Sequence, residues 1–367
     1  MKLALVHDHL IQAGGAEKVL SVFQDVWPDA PTYTLLYDEE RMGREFPKDK
    51  ILTSFLQKLP FALTRYQWYL PLMPTATERH DLTDFNVVLS SSSAFSKGII
   101  TDPHAVHVCY CHTPTRYLWS DTHRYLDELS VPGIIKKLLP PVMTQLRMWD
   151  KAAADRVDEF VANSETVRRR IKKYYGRDSV VIAPPVETNS FAISAEPKNY
   201  FLIGGRLVAY KRYDIAIDAF TKLGLPLKVF GSGPVEAELK ARAGKNVEFF
   251  GRVSDETKAQ LYAGCIAFLH PHEEDFGITQ VEAMASGRPV IAYRRGGATE
   301  VIDEGVTGEF IDEQSWEELA DRVMHFDESR YDPALIRSHA LQYDTAIFKQ
   351  KMKEFITDQW EQHAHSY

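Results

Sequence analysis

The chain opens on Leu3-Ala-Leu-Val6, a short and continuously apolar run, and continues through His7-Asp-His-Leu-Ile-Gln-Ala-Gly14-Gly15-Ala-Glu17. An amphipathic stretch follows, with apolar residues at Val19, Leu20, Val22 and Phe23. A buried strand, a glycine turn and a helix, in that order, form the first unit of a doubly wound α/β fold. This segment therefore predicts a parallel sheet that begins with the first residues of the chain.

Further apolar runs, each followed by a polar turn and a helical pattern, extend this arrangement along both halves of the chain. The strands predicted in the first half cover residues 87–89, 105–110, 159–162 and 180–182, and those in the second half cover 200–203, 227–230, 247–250, 266–269 and 289–292. We also predict helices over 144–156 and 164–175. Strands that are apolar throughout are typical of parallel sheets covered on both faces.

Two prolines at Pro184 and Pro185 interrupt the series and can continue neither a strand nor a helix. We therefore predict a first Rossmann-like domain over 1–183, a linker over 184–198 and a second Rossmann-like domain over 199–344. A terminal helix over about 345–367, apolar at Phe348, Met352 and Ile356, is expected to pack back on the first domain. Ligands of such folds bind outside the carboxyl ends of the strands.

The composition excludes several classes of protein. The 367 residues include 44% hydrophobic and 26% charged residues, which indicates a globular protein with substantial cores rather than a disordered chain. The net charge of −8 is uneven, because residues 1–183 carry 23 Lys and Arg against 22 Asp and Glu, and residues 184–367 carry 20 against 29. An acidic second half disfavours a general nucleic-acid binder. Three cysteines without a Cys-x-x-Cys spacing predict a reducing compartment.

The most specific segment is Leu269-His-Pro-His-Glu-Glu274-Asp-Phe-Gly277-Ile-Thr-Gln-Val-Glu282-Ala-Met-Ala-Ser-Gly-Arg-Pro289. It predicts a strand end, a loop and a helix that begins near Gly277, where unpaired backbone N–H groups suit a phosphate. Glu274 and Glu282 are eight residues apart, roughly 10 Å along a helix. Two carboxylates at this spacing, with an anion site between them, suit the hydroxyl groups at the two ends of a nucleotide sugar.

A second segment supports an anionic ligand, and a third disfavours a dinucleotide. Arg206 and Lys211 follow the first strand of the second half, and two cations can neutralise a diphosphate and stabilise it as a leaving group without a metal. In Gly231-Ser-Gly233-Pro, the third position of a dinucleotide fingerprint is Glu236 instead of glycine. This broken pattern disfavours an NAD dehydrogenase.

Taken in order, these motifs resemble the signature series of retaining glycosyltransferases of family 4, which have the GT-B fold of two Rossmann-like domains facing across a cleft. The resembling segments are Gly204-Gly-Arg-x4-Lys211, Gly231-x-Gly-Pro234, Gly251-Arg-Val253-Ser-Asp255-Glu-Thr-Lys258 and Glu274-x7-Glu282. The string Tyr110-Cys-His112-Thr-Pro-Thr-Arg-Tyr117 resembles the branch of bacterial GDP-mannose-dependent mannosyltransferases that build O-antigen and related polysaccharides.

The resemblance implies roles for individual residues. His112, Arg206, Lys211 and Glu274 are implied as catalytic residues: Glu274 would hold hydroxyls of the donor sugar, Arg206 and Lys211 would clamp the diphosphate, and His112 would lie near the reacting sugar. The implied donor-binding residues are Gly14, Gly15, Val253, Asp255, Lys258, Phe276, Gly277, Ile278 and Glu282. Glu282 would hold the ribose, and Val253, Asp255 and Lys258 would frame the base, for which guanine is preferred.

The resemblance also implies a reaction without a metal or other cofactor. No carboxylate is assignable as a covalent nucleophile. The resemblance implies attack on the same face as the departing diphosphate, with the α-configuration retained. A UDP-sugar donor on the same fold, a sugar-nucleotide epimerase, a phosphorylase of the same architecture and a two-domain binding protein without turnover are the alternatives. Metal binding by His7, Asp8 and His9, or by His270, His272 and Glu273, is not favoured by the spacing.

The expected acceptor is a glycan or a lipid-linked oligosaccharide. Residues 52–73 and 129–142 are apolar with scattered cations, and 168–177 hold six cations in ten residues. Together they could contact an anionic membrane. The apolar run at the N-terminus is too short for a secretory signal peptide. We therefore expect a cytoplasmic protein that can associate peripherally with the inner face of the cell membrane.

Overall fold

The structure is a computed structural model that describes residues 1–122, 133–194 and 199–364. The chain divides into two compact units, one of Met1–Ala183 with Phe348–Tyr367, the other of Pro184–Ile347. Among the described residues, no helix combines the length and the apolar character needed to cross a bilayer.

The first unit contains a parallel sheet of seven strands. The strands are β1 (Leu3–His7), β2 (Thr32–Thr34), β3 (Ile51–Thr53), β4 (Val87–Ser92), β5 (Val106–Cys111), β6 (Glu159–Ala162) and β7 (Val180–Val181). The helices are α1 (Gly15–Val26), α2 (Glu39–Met42), α3 (Met73–Glu78), α4 (Gly133–Asp155) and α5 (Glu165–Tyr175). Every residue of β1, β4 and β5 is buried, as expected for strands covered on both faces.

The strand order of this sheet is β3-β2-β1-β4-β5-β6-β7. The chain moves outward from β1 to β3 and then returns to place β4 beside β1. The crevice outside the carboxyl ends of β1 and β4 is therefore the topological switch point of the sheet, where ligands of open α/β sheets bind.

The second unit repeats this plan with six parallel strands. They are β8 (Phe201–Gly204), β9 (Leu227–Phe230), β10 (Val247–Gly251), β11 (Phe268–His270), β12 (Val290–Tyr293) and β13 (Gly308–Ile311). The helices are α6 (Tyr213–Leu223), α7 (Glu236–Arg242), α8 (Asp255–Gly264), α9 (Ile278–Ala285), α10 (Ala298–Val301), α11 (Trp316–Met324) and α12 (Pro333–Ala340). The order β10-β9-β8-β11-β12-β13 places the switch point between β8 and β11.

The last helix, α13 (Thr345–Ala364), leaves the second unit and continues in the first. Phe348, Met352 and Ile356 are fully buried in the core of the first unit. The Phe348 ring stacks on Phe23 at 5.6 Å and meets Tyr110 edge-on at 5.7 Å. One apolar stripe of the helix thus completes the core around β1 and α1.

Several predicted boundaries differ from the structure. The helix predicted over 144–156 begins earlier, at Gly133, and the strand predicted over 266–269 is displaced to Phe268–His270. Residues 184–194 of the predicted linker pack on the second unit, with Thr188 and Phe191 buried. Residues 195–198 of that linker, 129–132 of the apolar segment 129–142 and 365–367 of the last helix lie outside the described residues.

Candidate functional site

The loops that follow β8 and β11 meet at the switch point of the second sheet. Phe268 pairs with Leu202 in parallel register, so both strands end at the same edge of the sheet. The loop that contains Lys211 follows β8, and the loop that contains Glu274 follows β11. Two motifs that are far apart in sequence thus become neighbours because the sheet reverses its strand order here.

Glu274 is the centre of a compact polar cluster, called here the Glu274 cluster, formed with Lys211, His270 and His272. The Lys211 Nζ lies 2.5 Å from Glu274 Oε1. The Nε2 atoms of His272 and His270 lie 3.4 and 3.8 Å from the two oxygens of the same carboxylate. The two imidazoles are buried, whereas the Glu274 side chain is 19% exposed and therefore within reach of a ligand.

Charge and burial act together in this cluster. Burial alone would raise the pKa of Glu274, but the Lys211 ammonium, followed by His272, holds it well below its usual value. Burial, reinforced by His272, lowers the pKa of His270 well below 6.5. Glu274 is thus an ionised hydrogen-bond acceptor beside a neutral His270, which suits a carboxylate that binds sugar hydroxyls.

Single ligand atoms of His270, His272 and Glu274 lie within 4.8 Å of one another, close enough to hold a metal ion. The carboxylate in this trio is Glu274, whereas the trio considered and not favoured from the sequence contained Glu273. However, the Lys211 ammonium already contacts a Glu274 oxygen at 2.5 Å and places a positive charge where a dication would bind. We therefore interpret the cluster as a lysine–carboxylate site flanked by imidazoles.

Glycine conformation positions the backbone at this edge of the sheet. Gly277, immediately before α9, has φ +97°, and a side chain there would press against the amide of Gln280. Gly205 has φ +128°, and a Cβ there would lie 3.8 Å from Lys211 Nζ. The loop after β8 thus passes Lys211 with bare backbone at Gly205, and α9 begins after a glycine at which a side chain would be strained.

Glu282, one turn into α9, forms a second group, called here the Glu282 cluster, with Lys258 and Tyr262. Its two carboxylate oxygens accept hydrogen bonds of 3.1 Å from Lys258 Nζ and 3.1 Å from the Tyr262 hydroxyl. Lys258 also lies 3.2 Å from the exposed Asp255. The structure therefore brings together Asp255, Lys258 and Glu282.

In the first unit, Asp8 joins the loops that follow β1 and β4. Its carboxylate accepts four backbone hydrogen bonds of 2.7–2.9 Å from Ser93, Ala94, Phe95 and Ser96. A carboxylate saturated in this way is a structural anchor, and its oxygens have little capacity left for a metal ion shared with His7 and His9. His112 follows β5 at the same edge and donates its backbone N–H to the Ser92 carbonyl at 2.8 Å.

Comparison with known proteins then assigns both halves of the chain. The model of glycosyltransferase family 4 matches residues 26–190, and the model of the glycosyl transferases of group 1 matches residues 186–340. The chain belongs to the family 4 glycosyltransferases. The predicted family is therefore confirmed, and so is the α/β fold class, since two doubly wound parallel-sheet units are the GT-B fold.

Curated relatives match the glycosyltransferase over part of their length. It is 37% identical over 199 residues to the D-rhamnosyltransferase WbpZ of Pseudomonas aeruginosa, which covers 50% of this chain and 52% of the relative. It is 32% identical over 162 residues to the O-antigen chain mannosyltransferase C of Escherichia coli, covering 40% and 42%. The chain thus spans about half the length of these relatives.

A solved structure resembles the glycosyltransferase along nearly its whole length. The Anabaena protein Alr3699/HepE, crystallised in complex with UDP, has a TM-score of 0.71 and 19% sequence identity, covering 98% of this chain and 100% of that protein. At this identity the likeness establishes the fold.

The structure of the glycosyltransferase distributes the remaining predicted residues over both units. Arg206 is exposed, and Val253 and Ile278 are half-buried. Phe276 is buried and packs edge-on against Tyr343 at 5.3 Å, so its side chain is part of the core of the second unit. Gly14 and Gly15, at the start of α1, are exposed.

Sequence reasoning missed several polar residues that contact the predicted site residues or the loops that contain them. They are Asp8, Glu17 and Ser91 in the first unit and Tyr262 in the second. Asp8 and Ser91 carry a usable signal, since each lies at or just after the carboxyl end of a strand beside a switch point. Tyr262 carries none, because an aromatic residue in a helix is ordinarily part of the core.

Proposed function

We propose that this chain is a retaining hexosyltransferase that moves mannose from GDP-mannose to a hydroxyl of a glycan or lipid-linked glycan, forming an α-glycosidic bond. The observation that carries the proposal is the Lys211–Glu274 pair at the switch point of the second sheet, beside the glycine start of α9. Lys211 supplies a cation suited to a diphosphate, and the adjacent Glu274 supplies a carboxylate suited to sugar hydroxyls. Relatives named mannosyltransferases support the choice of sugar.

In this proposal each residue keeps one task. Glu274 accepts hydrogen bonds from donor-sugar hydroxyls, and the backbone at Gly277 and Ile278 contributes N–H groups. Lys211 and Arg206 neutralise the diphosphate, while Glu282 binds the ribose. Val253, Asp255 and Lys258 frame the base, and His112 contacts the transferred sugar, with Gly14 and Gly15 admitting the phosphates.

The proposed chemistry depends on charge that develops on the leaving diphosphate. As the glycosidic bond to the donor breaks, negative charge grows on the phosphate oxygen, and a fixed ammonium stabilises that charge in the transition state. The acceptor hydroxyl attacks on the same face, and its proton passes to the departing phosphate oxygen. Glu274, already paired with Lys211, binds hydroxyls and is not a nucleophile in this scheme.

The base of the donor is tested by thermal unfolding of the protein with GDP, UDP, ADP and their sugars. We expect stabilisation by the guanine nucleotides alone, amounting to about 2.7 kcal/mol at a concentration 100 times the dissociation constant. Glu282→Gln keeps the size of the side chain and should weaken stabilisation by GDP, whereas Lys245→Ala, in an exposed loop, should leave it unchanged. Stabilisation by UDP alone would establish the UDP-sugar alternative.

We further propose that the first unit contacts anionic membranes through the segment 52–73. Phe61 and Trp68 are 66% and 57% exposed, unusually high for large aromatic residues, and the Arg65 guanidinium lies 4.7 Å from the Trp68 ring centre. The basic run 168–177 is less suited, because Arg168 pairs with Glu165 and Lys172 with Asp178.

Co-sedimentation with vesicles that contain anionic lipid tests this contact. Replacing Phe61 and Trp68 by serine should reduce partitioning at least about tenfold, since burying each aromatic side chain contributes about 1.5 to 3 kcal/mol. Serine at the exposed Met324 and Leu341 of the second unit is the matched control. The proposal would be contradicted if the two double variants bound anionic vesicles equally well. It would also be contradicted if the wild type bound neutral vesicles as well as anionic ones.

A further inference from the structure

Four polar side chains form a continuous line at the switch point of the first sheet. Glu17 Oε1 lies 3.6 Å from His7 Nε2, His7 Nδ1 lies 3.1 Å from Ser91 Oγ, and Ser91 Oγ lies 2.8 Å from His112 Nε2. We call this line the His112 relay. It joins α1, β1, β4 and the residue after β5.

The register of the sheet produces this line. His7 and Ser91 are direct neighbours on the parallel strands β1 and β4, and Ser91 is opposite Tyr110 on β5. His112 follows two residues after Tyr110, and its ring packs edge-on against the Tyr110 ring at 5.2 Å. His7, Ser91 and Glu17 are all buried, so water is poorly placed to replace any of these partners.

The ionised carboxylate of Glu17, at one end of the line, decides the direction of the hydrogen bonds. Burial would raise the pKa of Glu17, but the contact with Nε2 of His7 holds the pKa below its usual value, so Glu17 is ionised. A carboxylate beside Nε2 of His7 favours a proton on that nitrogen, which leaves Nδ1 as an acceptor. Ser91 then donates to His7 Nδ1 and accepts from Nε2–H of His112.

We propose that Glu17, His7 and Ser91 are positioning residues that hold neutral His112 with its proton on Nε2 and its lone pair on Nδ1. Since Ser91 engages Nε2, a ligand contact of His112 uses Nδ1, which accepts a hydrogen bond from a hydroxyl of the transferred sugar. Burial lowers the pKa of His112 to about 4, in agreement with a neutral ring at physiological pH. This inference rests on the proposed function for the identity of the ligand.

The structure offers a matched control in the adjacent residue. Ser90 is also fully buried on β4, and its Oγ lies 2.8 Å from Nε2 of another buried histidine, His107, which is not among the proposed site residues. Ser90→Ala and Ser91→Ala therefore remove the same hydroxyl–imidazole contact from the same strand. Ser90→Ala removes a partner from His107 alone, whereas Ser91→Ala removes one from both His112 and His7.

The direct test is the tautomer of His112, read from the 15N shifts of its two ring nitrogens in histidine-labelled protein. His112→Gln assigns the signal among the 13 histidines. We expect a protonated Nε2 in the wild type and in Ser90→Ala, and a mixture of tautomers in Ser91→Ala. Glu17→Gln, which keeps the side-chain shape, should shift the balance in the same direction and serves if Ser91→Ala does not fold.

The functional test compares GDP-mannose turnover with GDP binding. In Ser91→Ala, turnover should fall about 10-fold to 100-fold, by analogy with the loss seen when the hydrogen-bond partner that orients a metal-ligating histidine is removed. GDP lacks the sugar, so its binding should not change, whereas a general structural defect would weaken both. If the tautomer of His112 is unchanged in Ser91→Ala, the His112 relay does not set it. If turnover is unchanged in this variant, the relay has no role in catalysis. Wild-type protein that neither binds nor consumes GDP-mannose refutes the proposed function alone, since the tautomer still tests the relay.

Discussion

Lys211→Ala is expected to lower the rate of sugar transfer by about 100-fold to 1,000-fold, the loss found when one fixed donor to a developing anion is removed. The reason lies in the position of Lys211, with its ammonium 2.5 Å from Glu274 and its side chain 12% exposed. A partly desolvated cation at a switch point stabilises charge on a leaving diphosphate much more strongly than a surface lysine does. Turnover at saturating donor measures this effect.

The variant also removes the counter-charge of Glu274, so a loss of stability must be separated from a loss of catalysis. Lys211→Met combined with Glu274→Gln replaces the ion pair by two neutral side chains of similar size, and should unfold close to the wild type while remaining inactive. Lys245→Ala should retain full activity. If Lys211→Ala turns over within about threefold of the wild type, the ammonium has no part in stabilising the transition state.

The sequence predicted a short apolar strand before each of the segments around Lys211 and Glu274, and the structure has β8 and β11 there, with every residue buried. The rule for switch points then leads us to expect the loops after these two strands at one edge of the sheet. What the sequence did not predict is the direct pairing of Lys211 with Glu274. The two residues were assigned to different parts of the ligand, and only the observed strand order makes them neighbours.

Three strands were missed for a physical reason. β2 and β3 have three residues each, too few for a periodic pattern, and β13 begins with Gly308 and has a half-buried glutamate as its second residue. Such strands exist because a neighbouring strand pairs with them, not because of their own sequence. The role of Asp8 was missed similarly, since its four partners lie 85–88 residues away along the chain.

The two units use their switch points in related ways. In the second, the ion pair of Lys211 and Glu274 is flanked by the buried imidazoles of His270 and His272. In the first, an ionised Glu17 is at the far end of the line and a neutral His112 is at the near end. Under the proposed function, each arrangement would hold one functional group in a single protonation state, as the proposed reaction without a metal requires of its side chains.

The other large effect is expected at Asp150, whose carboxylate joins the turn after β4 to the loop that follows His112. Its carboxylate lies 2.5 Å from Lys97 Nζ and accepts hydrogen bonds of 2.7–2.8 Å from Thr115, Trp119 and Tyr175. The side chains of Asp150 and Lys97 are 0% and 1% exposed. Four segments, namely the turn after β4, the loop after β5, α4 and α5, thus depend on one buried carboxylate.

Asp150→Ala should reduce the stability of the first unit by about 3 to 5 kcal/mol, because it leaves the buried Lys97 ammonium without a counter-charge. Asp150→Asn should be nearly as damaging, since the amide keeps the shape but not the charge, whereas Lys97→Met with Asp150→Leu should recover much of the loss. Hydrogen exchange of Val106–Cys111 in increasing urea follows this unit separately from the second. If Asp150→Asn proves as stable as the wild type, the ion pair is not what holds these loops, and the hydrogen bonds of Thr115, Trp119 and Tyr175 must account for their order.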